Sequence, residues 1–231
     1  MNGTLINIIA VIIGSGIGLF LKTKLPKKIV LTVFQGLGLF TLFLGFVMAM
    51  KTGSYLILVF SLVIGGIIGE ALDIEKFTER QADALKKKIK FGGDKFSEGM
   101  LTAFLLYCMG SMTILGALEE GMNNDSALLI TKSVMDGFSS IALASAFGIG
   151  VAFSVIPMLI FQGGLTLLAM YFGEFIDVII VNELTAVGGI LLIGLGINIL
   201  DIKKIKVFNL FPALIIAVIL AWIKFEFQLD I

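Results

Sequence analysis

Residues 127–172 read ALLITKSVMDGFSSIALASAFGIGVAFSVIPMLIFQGGLTLLAMYF, and Lys132 and Asp136 are the only charged side chains among them. After Asp136 no charge appears until beyond Gly173. That run is long enough for two crossings of a bilayer, since each helical span takes about 20 apolar residues. A soluble helix would need a solvated polar face, and none is available here. The rest of the chain has the same character. Its 231 residues are 58% hydrophobic and 15% charged, against roughly 45–50% apolar and about 25% charged residues in soluble domains. Mean hydropathy is +1.07.

Outward from this stretch, further apolar segments fall at residues 5–21, 29–50, 54–69, 100–118, 184–200 and 210–223. With 127–146 and 151–172 they predict an all-α fold, a polytopic membrane bundle of eight transmembrane helices. Residues 1–231 are expected to form one membrane domain, with a cytoplasmic amphipathic loop at 70–99. The segment at 100–118 reads as one continuous helix. Between the fifth and sixth segments only Gly148 and Gly150 hint at a turn, so a tight hairpin and a broken or re-entrant element both fit. Met1 to Thr4 lacks the basic start of a cleaved signal, so the first segment is expected to remain as a helix.

Eight crossings bring three basic loops to one face. They hold Lys22, Lys24, Lys27 and Lys28, then Lys76, Arg80, Lys86, Lys87, Lys88, Lys90 and Lys95, then Lys203, Lys204 and Lys206. Of the 17 basic residues only Lys51, Lys132 and Lys224 fall elsewhere. Basic loops are retained in the cytoplasm, which places both termini outside. In the loop at 70–99, Ile74, Phe77, Leu85 and Ile89 are spaced as one helical stripe among balanced charges. Such a helix lies on headgroups and ends at Gly92 and Gly93; a partner-docking helix is the sharper alternative.

A shift of 153 residues lays Leu31, Thr32, Gly36, Leu39 and Leu42 over Leu184, Thr185, Gly189, Leu192 and Leu195. It would map helices 1–3 onto helices 6–8. A displacement of five helices reverses direction across the bilayer, so the expected repeat is an inverted one, as in many secondary transporters. Two leucine-rich helices alike only because lipid selects both are the competing account. Gly14 with Gly18, Gly65 with Gly69, and Ser133 with Gly137 are small residues four apart, suited to close helix packing in the bundle or in a homo-oligomer.

Asp136 lies near mid-span, where a charge is costly and normally has a partner. Lys132, four residues earlier on the same helical face, supplies one, and Ser133, Ser139 and Ser140 are also within three or four positions. An ion- or proton-binding carboxylate whose partner is exchanged during a cycle is the functional reading; a locked pair that holds helices together is the structural one. Gln162 stands beside Pro157, Gly163 and Gly164, which can leave backbone carbonyls open. Cys108, Ser111, Thr113 and Thr41 are further polar groups near mid-span, with Gln35 and Asn198 closer to the ends. One carboxylate with amide and hydroxyl oxygens suits a small cation or a polar organic solute. The expected site is therefore Asp136, Lys132, Gln162, Ser133, Ser139, Ser140, Ser111 and Thr113. Glu70, Glu119 and Glu120 are expected to be solvated at helix ends, and Glu174, Asp177, Glu183 and Asp230 to line the outer mouth.

Several classes are excluded. With no histidine and one cysteine, Cys108, the usual zinc, haem and iron–sulfur ligand sets and an intrachain disulfide are absent. No serine–histidine pair can form, and Asp136 lacks a second carboxylate at its depth, so no enzyme and no cofactor are expected. Seventeen basic residues against 17 acidic ones give nucleic acid nothing to recognise.

Three stretches carry a resemblance: LYCMGSMTILGALEEG at 106–121, KSVMDG at 132–137, and Ile156-Pro157 followed by Gln162-Gly163. They resemble the YdfK/YqgA-type family of bacterial inner-membrane proteins, and the likeness in hydropathy and loop order spans nearly the whole chain. That family is of unassigned function and often labelled as transport proteins. The resemblance implies a bacterial plasma-membrane location and supplies no catalytic residues. The expected function is a small transporter using alternating access around Asp136, with the lipid bilayer and a small cation or polar solute as partners. An ion channel, or a scaffold acting through its cytoplasmic loop, are the alternatives.

Overall fold

On the first helix, α1 (Asn2–Lys22), the large apolar side chains point outward and the small or polar ones inward. Leu5, Ile9, Ile13 and Phe20 are exposed, whereas Thr4, Asn7, Val11 and Ser15 are fully buried. The arrangement reverses that of a soluble helix and fits one bathed in hydrocarbon. The computed structural model describes residues 2–22, 27–88, 93–172 and 177–227. Among them the chain is all-helical.

After α1 come α2 (Lys27–Ala49), α3 (Tyr55–Leu72), α4 (Ile74–Lys88), α5 (Phe96–Cys108), α6 (Ser111–Asn123), α7 (Ala127–Phe147), α8 (Gly150–Phe153), α9 (Val155–Phe172), α10 (Val178–Ile199) and α11 (Pro212–Phe227). Six of the described helices are long and apolar enough to cross a membrane, or seven if α5 and α6 count as one bent span. A further apolar stretch, Gln35–Ala49 within α2, is shorter.

The boundaries have local causes. Ser54 caps α3 by accepting the Ile57 N–H, and Asp177 caps α10 by accepting the Ile179 N–H at 2.8 Å. Asp73 ends α3 in the left-handed region, φ 52°. Gly148, at φ 90° and ψ −155°, ends α7 in a conformation that only glycine adopts readily. It separates the fifth and sixth segments: α7 ends there, and α8 runs on into α9 as one apolar span, Gly150–Tyr171.

The fourth apolar segment departs from the sequence expectation. It breaks at Met109 and Gly110 and bends by 61° instead of running through. Thr113 donates its hydroxyl to the Tyr107 carbonyl at 2.6 Å, satisfying a backbone group that the break frees.

By its contacts the chain divides into two compact units. One comprises residues 1–36, 79–108 and 112–175; the other residues 37–78, 109–111 and 176–231. In the first unit α1 and α7 run parallel and very close: Gly3 lies against Leu129, Gly14 against the Gly137 carbonyl and Ser140, and Gly18 against the Ile141 carbonyl and Ala144. Gly121 of α6 packs on Thr166 and Ala169 of α9. In the second unit α2 and α10 are antiparallel, with Gly38 against Leu200, Leu42 against Gly196 and Gly45 against Gly189. There too, Gly65 and Gly69 of α3 meet Ala213 and Asn209.

The helix expected on headgroups is α4. Its buried centre is Ala82, which packs with Phe96 and Met100 beside Leu85, Leu101, Ile149 and Phe153. Leu85 thus belongs to a core, whereas Phe77 of the expected stripe is 59% exposed. Ile89 and the expected stop at Gly92 lie outside the described residues, as do Lys24, Lys90, Glu174 and Asp230. In the second unit the start of α4 is tied down by Asn209, which accepts the Glu75 N–H at 2.6 Å, and by Glu75, which accepts the Phe208 N–H at 3.0 Å.

Close approach of α1 and α7 has a direct test. A Cβ on Gly14 would run into backbone of α7, whereas one on Gly16 meets nothing within 4 Å. Gly14→Leu should cost about 1–3 kcal/mol or more through overpacking and lower the melting temperature of the purified protein by several degrees. Gly16→Leu should leave it within a degree or two of wild type, on the order of the surface substitutions that change stability by under about 0.5 kcal/mol.

Candidate functional site

Because α1 and α7 lie parallel with small residues between them, polar side chains on their facing surfaces are brought together. Lys132 and Asp136 are one helical turn apart on α7 and form an ion pair; their side chains are 7% and 9% exposed. Asn7 of α1 donates its Nδ2 amide to Asp136 Oδ2 at 2.9 Å and to Gln162 Oε1 of α9 at 3.2 Å. Gln162 in turn donates Nε2 to Thr4 Oγ1 at 3.1 Å. Asn7, Gln162 and Thr4 are fully buried.

The network has one polarity. An ionised carboxylate only accepts, so Asp136 orients the Asn7 amide with nitrogen toward it; Asn7 then orients Gln162, and Gln162 orients itself on Thr4. With the Asn7 amide nitrogen committed in this way, its Oδ1 has no hydrogen-bond partner among the described residues. Tyr107 of α5 presents its ring to the Lys132 ammonium, Nζ 5.9 Å from the centroid. Its hydroxyl approaches Ser140 without completing a hydrogen bond.

Of the residues expected at the site, Lys132, Asp136 and Gln162 come together. Ser133 and Ser140 donate to carbonyls of their own helix, Leu129 and Gly137, each at 2.7 Å. Ser139 is half-buried. Thr113 is committed to the α5–α6 break. Ser111 opens α6, and its side chain lies outside the described residues. Sequence reasoning missed Asn7, Thr4 and Tyr107. Thr4, Asn7, Val11 and Ser15 recur every three or four residues along the first segment, the available signal for a polar stripe facing inward.

Two acids expected to be solvated are buried. Glu120 is 2% exposed and accepts the Gly3 N–H at 2.7 Å and the Ser126 hydroxyl at 2.6 Å. Glu183 is 1% exposed and accepts the Thr52 hydroxyl at 2.7 Å and the N–H groups of Gly53 and Ser54 at 2.7 and 3.0 Å. Both neutralise helix-start N–H groups that have no partner in their own helix. Glu70, as expected of a group at a helix end, is exposed; it holds Lys206 at 2.5 Å and Asn209 at 2.6 Å. The hydrogen bond that Lys206 donates to Glu70 raises the Lys206 pKa, but a pair this solvated contributes little to stability. Asn198 clamps the following loop, donating to the Ile205 carbonyl at 2.8 Å and accepting its N–H at 2.7 Å.

A family model described as "Protein of unknown function (DUF554)" matches residues 2–222. The chain belongs to that family. It is 34% identical, over 99% of each chain, to the "Uncharacterized membrane protein YdfK" of Bacillus subtilis (strain 168). It is 31% identical to the "Uncharacterized protein YqgA" of Escherichia coli (strain K12), over 95% of this chain and 97% of the other. No solved structure matches. This DUF554 chain is thus a membrane protein with several apolar helices, and the geometry around Asp136 is what bears on its chemistry.

A buried ion pair broken on one side leaves an uncompensated charge, at a cost of about 3–5 kcal/mol, whereas replacing both partners by apolar groups is often neutral. Lys132→Met and Asp136→Leu should each lower thermal stability strongly. The double variant should recover most of the loss, and a stability measurement on all four proteins checks the coupling. Additive losses would mean that the two side chains do not depend on each other.

Proposed function

We propose that this protein is a small multi-pass transporter that moves a small polar solute or cation by exposing Asp136 alternately to the two sides of a bacterial inner membrane. One observation carries the reading: an ion pair buried in a span, joined by two amides from two other helices, with an amide oxygen left unpartnered among them. Intramembrane charges of this kind mark solute and ion pathways by default.

Helix pairing supports the inverted repeat on which alternating access commonly rests. The shift of 153 residues relates α1 to α9, α2 to α10 and α3 to α11. Each related pair packs together and antiparallel: Thr4 and Asn7 meet Gln162 and Met158, Gly45 meets Gly189, and Gly65 meets Ala213. The basic loops favour both termini outside the cytoplasm.

The test uses proteoliposomes and tracers of different charge: radiolabelled sodium, rubidium and glycine, and an internal pH dye for protons. At least one tracer should cross with wild type, and flux should vanish in the folded double variant Lys132→Met/Asp136→Leu. Undiminished flux in that variant would make the pair structural. Unitary currents in planar bilayers would reassign the protein as a channel, since a carrier turning over slowly gives none.

A further inference from the structure

The groups at the ion pair with hydrogen-bonding capacity still unused fall into two sets of opposite character. On one side stand donors: the Lys132 ammonium, whose contacts among the described residues are Asp136 and the Tyr107 ring, and the Tyr107 hydroxyl. On the other stand acceptors: Asn7 Oδ1, and Asp136 Oδ1, which receives no hydrogen bond among the described residues. Asn7 and Tyr107 are fully buried. A buried polar atom without a partner is expensive, so a ligand that satisfies both sets gains at each of them.

We propose that the solute bound here is a small zwitterion of the α-amino acid class, its carboxylate on Lys132 and Tyr107 and its ammonium on Asp136 and Asn7. The assignment rests on the transporter reading and narrows it to a substrate class. Net charge decides between candidates. Lys132 and Asp136 cancel, so the site is neutral before a solute arrives. A metal or organic cation would leave a net positive charge in a low-dielectric span and would find the Lys132 ammonium already seated on the carboxylate. An anion would leave a net negative charge and face Asp136. A zwitterion leaves the total at zero and offers each charged side chain an opposite partner.

Separation decides the rest. Lys132 and Asp136 are in direct contact, so the two charges that a solute has to match lie side by side. Carboxylate and ammonium on a single carbon match that spacing; charges several carbons apart do not.

The experiment measures radiolabelled glycine and L-alanine uptake by the full chain in proteoliposomes. Competitors are one-charge fragments of the same skeleton, methylammonium and acetate, with labelled methylammonium and sodium as parallel tracers. Glycine or alanine should enter, unaffected by excess methylammonium or acetate. Tyr107→Phe provides the readout that a structural role does not move. It keeps the ring over Lys132 and removes a hydroxyl whose neighbour, Ser140, already donates to the Gly137 carbonyl, so its melting temperature should stay close to that of wild type. Its KM for the amino acid should rise roughly tenfold, as expected for loss of a hydrogen bond to a charged group. Asn7→Leu should raise KM similarly if it folds. Unchanged KM in Tyr107→Phe overturns the proposed pose. Sodium or methylammonium flux that needs Asp136, without amino-acid uptake, overturns the zwitterion and leaves the carrier. Absence of every flux overturns both.

Discussion

Hydrocarbon supplies neither hydrogen bonds nor counter-charges, so a polar atom inside a span is stabilised only by a partner from the chain or from a bound solute. The Lys132–Asp136 pair is where this constraint presses hardest. Each of the two charges is tolerable only because the other is there, and together they dictate the orientation of Asn7, Gln162 and Thr4 in sequence. The same rule explains Glu120 and Glu183. Both acids are buried against N–H groups at the start of a helix, Glu120 on Gly3 and Glu183 on Gly53 and Ser54.

Packing makes that network reachable. Asn7 meets Asp136 because α1 and α7 approach with almost nothing but backbone between them, and Gly14 and Gly18 allow it. Small residues four apart on α1 and α3 are used for contacts within a unit of the chain. Large apolar side chains are displaced to the outer surfaces of the helices, where lipid receives them. Local stability and the site thus share one cause: the close approach that Gly14 permits is the same one that brings Asn7 to Asp136.

Much of this was legible in the sequence. Hydropathy located the apolar helices, and Gly148 was a readable turn signal after the fifth segment, whereas the capping roles of Ser54 and Asp177 had not been singled out. Spacing of four residues placed Lys132 beside Asp136, because i and i+4 share a helical face. The break at Met109 and Gly110 was not legible, since a glycine in an apolar run more often packs than bends. Glu120 and Glu183 looked solvated because proximity to a helix end says nothing about which N–H groups lie opposite. Asn7 and Tyr107 escaped notice for the same reason. Their significance comes from partners 129 and 25 residues away in the chain, Asp136 and Lys132, and no local pattern encodes such a distance.

The central claim is that the polar cluster at Asn7 and Asp136 sits inside the bilayer yet is reached in turn from each side. Cysteine placed at position 7 in a Cys108→Ser background, challenged with a small membrane-impermeant methanethiosulfonate in right-side-out and inverted vesicles, tests it most directly. The account predicts slow labelling from both faces, slowed further by a transported solute. Rapid, solute-insensitive labelling from one face and none from the other would contradict it.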